Sequence, residues 1–297
     1  MSYAIKLGCL SLAAFAIVHL ACALAVNAAA PAALRSAQRM RAAAAARFLL
    51  ILRLTPAAVS IFVVAALCIP SYLSFEPEAA SEAIGPVCLA LAFLAVALAA
   101  TSLARVIAAA VRSRRWLRGP AQPNAVAVAG IIRPRVIVGD SVARELSHAE
   151  LDAALRHERA HADSHDNLKR VLVLAAPHTF PFFPARFTAL ELAWKKFSEW
   201  AADDRAVSAD PDRAVALASA LLHIARLGEP ATAPLITSLT DGNLAERIER
   251  LLTPPIDQNS DRVTPALIAS AALALIAALL SPGALASVYD LLERLIQ

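Results

Sequence analysis

His157-Glu158-Arg159-Ala160-His161 is the stretch of this chain whose residue types and spacing could do chemistry. Residues i and i+4 share a helix face about 6 Å apart, so both imidazoles can reach one metal ion. The glutamate beside the first histidine stands to the side of that pair. There it can take a proton from a water that the metal acidifies. Zinc suits such a site, with three protein ligands and an open fourth position when it is catalytic. His165 continues the spacing, but on a straight helix it lies about 12 Å along the axis from His157. One ion cannot be held at about 2.1 Å by both ends of that row. His165 is therefore expected to face solvent or to support the site from outside. A better third ligand is Glu199 in SEWAADDRAV, on a separate helix. Glu199 and Asp203 are four apart and share a face. Asp203 could then accept the second N–H of a ligand histidine and fix its tautomer. The competing readings are bland ones: a charged helix face over RHERAH, and a solvated acidic face at Glu199, Asp203 and Asp204.

The elements that must position these groups can be read around them. Ser147 and Glu150 form a capping-box pattern that starts a helix predicted over 149–173. Leu151, Ala154 and Leu155 give that helix an apolar side. Upstream, AVAVAGI and RVIV, separated by IRP, predict a small β-hairpin. The free edge of RVIV could pair with an extended peptide. APHTFPFFP, with three prolines, ends the helical pattern. Further helices are predicted over 187–206 and 212–227 and in NLAERIERLL. His178, on the aromatic turn, and His223, in an Ala/Leu helix, read as an interfacial and a core or surface histidine.

The 297 residues are 59% hydrophobic and only 18% charged. Soluble proteins carry roughly 25% charged residues, so the composition is that of a membrane protein with a soluble part. Apolar segments at 7–30, 48–70, 84–111 and 265–280 approach the roughly 20 residues that cross a bilayer core. The first also resembles a signal peptide, but its run is longer than an ordinary apolar signal core, which favours a retained span. Arg35, Arg39, Arg41 and Arg47 lie between the first two segments, and Glu76, Glu78 and Glu82 between the next two. Positive-inside then puts the N-terminus outside and the region from 112 to 262 in the cytoplasm. The organisation expected is a membrane region at 1–111, a metallopeptidase domain at 112–262, and a fourth span with a short tail at 263–297. The net charge of +4 follows from arginines beside apolar segments, and nothing predicts direct nucleic-acid binding. Cys9, Cys22, Cys68 and Cys88 all lie in apolar segments and imply neither disulfides nor a thiolate metal site.

The stretch IIRPRVIVGDSVARELSHAELDAALRHERAHADSHDNL, followed by the E-x-x-A-D of Glu199 to Asp203 and by RIERLL, resembles the BlaR/MecR-type integral-membrane zinc metallopeptidases of the gluzincin class. The resemblance covers about 131–252 by motif and the spans by topology. It implies a mainly α fold: a four-span helical membrane protein with a cytoplasmic zincin-like α+β domain. It implies His157, His161 and Glu199 as Zn2+ ligands, Glu158 as base, and Asp203 and Asp166 as carboxylates that orient the ligand histidines. The implied activity is endoproteolysis of a cytoplasmic regulatory protein, a transcriptional repressor, at the bacterial inner membrane. The chain ends shortly after the fourth span, so the family's penicillin-binding-like sensor domain is not expected and β-lactam sensing is not carried over. Arg159 departs from the family by placing a charge inside the motif. Two other readings share the residues: a quality-control or prenyl-type membrane protease, and a non-catalytic zinc-binding membrane regulator.

Overall fold

The structure is a computed structural model that describes residues 3–75, 84–118, 125–178, 184–227, 233–239, 243–253 and Asp290. The segment at 265–280, the turn at 179–183, the acidic loop at 76–83 and the linkers after 118 and 253 lie outside the described residues.

Among the described residues three helices are long and apolar enough to cross a membrane: α1 (Tyr3–Ala37), the run Ala42–Phe75, and α4 (Pro86–Arg118). The middle run comprises α2 (Ala42–Val63), a π-helical turn at Val64–Cys68 and α3 (Ile69–Phe75). Each is longer than its apolar segment, because the helix continues through the basic flanks. RAAAAAR at the start of α2 explains this, since alanine is the strongest helix former. At 1.5 Å per residue these helices are about 50 Å long, well beyond a hydrocarbon core of about 30 Å.

The hairpin forms as expected: β1 (Val126–Ala129) pairs antiparallel with β2 (Arg135–Val138), Val126 opposite Val138. Gly130 permits the turn. Its φ is 101°, and a Cβ there would meet the Arg133 carbonyl oxygen at 2.6 Å. A third strand, β3 (Thr237–Ser238), pairs with the other side of β1, giving the order β2-β1-β3. A strand of two residues is too short to show a period in the sequence. After the short α5 (Asp140–Glu145) comes α6 (His148–Asp163). Its capping box is complete: Glu150 N–H donates to Ser147 Oγ, and Ser147 N–H donates to Glu150 Oε2.

The helix expected over 149–173 is two helices. It stops at Asp163 and restarts as α7 (Asp166–Ala175). Between them His165 sits at φ 53°, ψ 41°, a left-handed conformation that ends one helix and caps the next. No glycine or proline marks the break. Next, α8 (Pro184–Val207) carries two faces. Phe187, Leu190, Trp194 and Phe197 recur at helical spacing and pack into a cluster with Ala23, Val26, Ala45 and Leu49 of α1 and α2. Glu199 and Asp203 leave on another side. The remaining helices are α9 (Pro211–Arg226), with Asp210 capping its N-terminus, and α10 (Leu244–Leu252). The second core joins α6, α9 and α10 to β1 through residues such as Ala154, Leu217, Leu221 and Val126.

Arg53, a charge inside the second apolar segment, is 2% exposed and has full compensation. Its Nε donates to Glu191 Oε1 of α8 at 2.7 Å, and Nη2 donates to the carbonyls of Val173 and Ala176 at 3.3 and 3.2 Å. One side chain thus ties α2 to the end of α7 and to the helix that carries Glu199.

Candidate metal centre

The helix break does work for the site. On a continuous helix Asp166 would stand about 140° round the axis from His161, out of reach. The left-handed residue turns the chain back, and Asp166 Oδ2 meets His161 Nδ1 at 2.7 Å. Asn167, the next residue, donates from Nδ2 to the carbonyls of Val128 and Gly130 at 2.9 and 3.0 Å. The Asp-Asn pair therefore has two jobs: one residue holds a histidine, the other clamps β1 to the same turn.

On α6, His157, Glu158 and His161 lie on the buried stripe with Ala153, Ala154 and Ala160. They are 0%, 0% and 1% exposed, which excludes a solvated charged face. Arg159 points outward and is exposed, so its charge stays out of the core. The two Nε2 atoms of His157 and His161 approach to 3.1 Å. Glu199, 3% exposed, brings Oε2 to 3.5 Å from each of them. Among the described residues these three form one group able to hold a metal ion. The other Glu199 oxygen faces Arg170 at 3.9 Å. Asp203 Oδ1 meets His157 Nδ1 at 2.9 Å. Each histidine thus turns one nitrogen to the group and the other to its own carboxylate, the arrangement that fixes tautomer and ring orientation.

His165 is exposed and contacts only the Asp163 carbonyl among its resolved polar contacts, at 3.2 Å, as expected of a residue outside the site. His178 faces Glu191, 3.6 Å away, at the junction with α2, where burial lowers its pKa to about 4 despite that carboxylate. His223 lies 3.0 Å from Glu150 at the other end of α6.

One residue of this centre went unassigned in the sequence. Arg247 of α10, 1% exposed, donates from Nε and Nη2 to the two oxygens of Asp203 at 2.9 and 2.7 Å. Its Nη1 donates to the Leu239 carbonyl at 2.6 Å and stands 3.4 Å from Glu199 Oε2. A signal for it existed. Leu244, Ile248 and Leu251 form the packed stripe of α10, and Arg247 falls on that stripe. A charge on the buried face of an amphipathic helix needs a buried partner.

Burial and neighbouring charges pull in opposite directions on these groups. Burial opposes ionisation of Glu199, but the nearby His161 charge and the contacts of both histidines hold it well below the usual carboxylate range. Burial likewise opposes Asp203, and Arg247 and His157 outweigh it, leaving a pKa of about 2. Burial pulls His161 down, whereas Glu199 and Asp166 together push it up to about 10. Without a cation between the three groups, His161 thus keeps its proton at neutral pH. A metal ligand must be neutral, so binding expels that proton. Metal affinity is therefore expected to rise about tenfold per pH unit between about pH 6 and 7, with about one proton released per ion. Titration of the metal-free protein against a chelator at several pH values, with buffer-dependent calorimetry, checks this. A pH-independent affinity would mean that His161 is already neutral.

The sequence profile of the BlaR1 peptidase M56 family matches residues 21–251. The chain belongs to this family. The match runs from within α1 to the last turn of α10 and so takes in every residue of the buried group. The family reading, a membrane peptidase, agrees with the three apolar helices and with a His-His-Glu group able to bind a metal. No curated protein and no solved structure matches the chain.

Proposed function

We propose that this M56 chain is a zinc-dependent endopeptidase of a bacterial inner membrane that cleaves a cytoplasmic regulatory protein, such as a repressor, during signalling. The observation that carries the metal is the triangle formed by His157 Nε2, His161 Nε2 and Glu199 Oε2, with sides of 3.1, 3.5 and 3.5 Å. Ligand atoms about 2.0–2.1 Å from a tetrahedral zinc lie roughly 3.3–3.4 Å apart, so the residues fit this ion without rearrangement. Two neutral imidazoles and one carboxylate are also the donor set of catalytic rather than closed structural zinc sites. Bound there, zinc supplies a Lewis acid and brings the pKa of a coordinated water to about 7. Glu158, fully buried and next in sequence to His157, acts as the general base and returns the proton to the leaving amine. Asp203 and Asp166 keep both imidazoles oriented. The β2 strand, at the edge of the described sheet, offers main-chain groups to an extended substrate.

Orientation follows from the basic loop between the first two spans and puts the site on the cytoplasmic side. The purified full-length chain is expected to carry about one zinc per molecule, to lose proteolysis with the zinc on chelation and to regain both on readdition. Elemental analysis alongside cleavage of a peptide library checks this. Protein purified without chelator that contains no zinc would instead support a non-catalytic membrane regulator.

A further inference from the structure

We propose that the cleft between α2, the α6–α7 turn and α8 binds a phosphate-bearing anion, directly behind the candidate metal centre. This site is additional to the proteolytic one.

The cleft encloses ≈ 200 Å³, large enough for a phosphodiester. Three cationic side chains from three elements line it: Arg47 of α2, Lys169 of α7 and Arg205 of α8. Its single lining carboxylate is Asp166. That carboxylate is already engaged, by His161 at 2.7 Å and by Lys169 at 2.6 Å. Arg47 donates from Nε to the Ala43 carbonyl at 3.2 Å. Arg205 donates to Ser164 Oγ at 2.7 Å and to the Ala160 carbonyl at 3.4 Å. Neither guanidinium meets a carboxylate among the described residues. Three positive charges against one negative leave an excess of two around a partly open cleft that Trp194 also lines. Such a field selects an anion, and paired guanidinium groups suit the oxygens of a phosphate.

The place in the fold narrows the source. Arg47 lies in the second turn of α2, after Arg35, Arg39 and Arg41, in a stretch without a single acid. Such stretches lie at the headgroup layer of anionic leaflets. The shared chemistry is the phosphate group, from an anionic phospholipid or from solution. The site also has a route to the metal centre. Asp166 on its wall holds His161, and Ser198 on its wall precedes Glu199.

The full-length chain is to be reconstituted in phosphatidylcholine nanodiscs containing a minority of phosphatidylglycerol, and bound phosphatidylglycerol counted by mass spectrometry. The Arg47→Gln/Arg205→Gln variant is expected to bind this lipid about thirtyfold more weakly than the unaltered chain. The Arg39→Gln/Arg41→Gln variant removes the same charge outside the cleft and is expected to bind as the unaltered chain does. All four arginines are exposed, and an unchanged thermal unfolding transition confirms that each variant folds. In a second arm, inorganic phosphate is titrated onto the chain in phosphatidylcholine alone and followed by phosphorus NMR line broadening. Lipid binding lost only with the cleft pair assigns the site to a headgroup. Phosphate broadening lost with that pair, lipid binding being unaffected, assigns it to a soluble anion. The proposal is overturned if neither probe responds to the cleft pair. It is equally overturned if both pairs of substitutions weaken lipid binding alike, which is the behaviour of diffuse surface charge.

Discussion

Glu158→Gln is expected to lower cleavage at least 10²- to 10⁴-fold while leaving the metal in place. The argument rests on geometry and charge. Glu158 is fully buried on α6 beside His157, and a glutamine matches its size and shape. It is not one of the three groups whose atoms converge, so its replacement removes no ligand. What is lost is an acceptor that can take a proton and give it back. Elemental analysis and single-turnover cleavage on one preparation separate the two effects. Full metal with cleavage within tenfold of the unaltered chain would mean that another group serves as base. Loss of metal as well would make Glu158 part of the binding site. The same variant should hold its substrate, so the proteins that co-purify with it discriminate between roles. A single cytoplasmic regulator supports signalling by repressor cleavage, whereas a spread of misfolded membrane proteins supports quality control.

The sequence disclosed the parts of the site whose spacing is local, and it hid those made by distant segments. His157, Glu158 and His161 follow from one helical period, and Glu199 with Asp203 from another. Both sets are buried, and His157 meets Glu199 and Asp203 across them. The capping box and hairpin were legible for the same reason. The break at His165 was not, because HADSHDN contains no glycine or proline and its helical pattern runs on. There the left-handed conformation is imposed by what it makes possible: Asp166 bonded to His161 and Asn167 bonded to β1. The short β3 lacked any pattern of its own and exists because β1 offered a free edge. The packing of α8 against α1 and α2 was also hidden, although the stripe from Phe187 to Phe197 was plain to see. Periodicity says that a face is buried and is silent about the partner.

Arg247→Leu is expected to destabilise the protein by about 3–5 kcal/mol, the cost of breaking a buried ion pair from one side. The pair is bidentate, at 2.9 and 2.7 Å, with Arg247 2% and Asp203 1% exposed at the side chain. Removing the guanidinium strands a buried carboxylate and leaves the Leu239 carbonyl without this donor. Two effects on the metal then compete. The uncompensated charge of Asp203 draws a cation, while the loss of two donated bonds frees Asp203 to move and lets the His157 ring turn. Orientation should win. In the native site Arg247 and Asp203 neutralise each other, and a metal there is held by ligand geometry. The loss of metal affinity is bounded by what removal of such an orienting carboxylate costs, about 10–100-fold. The decisive measurement is a double-mutant cycle. In an Asp203→Asn background, Arg247→Leu should weaken metal binding little further, because the arginine acts through that aspartate. Additivity within about 0.5 kcal/mol would instead show two independent actions. The alternative partner is already in view, since Arg247 Nη1 stands 3.4 Å from Glu199 Oε2. In that outcome the arginine would be restraining the carboxylate of the metal group itself. Arg247→Lys separates the cases further: it keeps a positive charge near Glu199 but cannot reproduce the bidentate grip on Asp203. Metal affinity restored by lysine would assign the role to charge, and affinity that stays low would assign it to geometry.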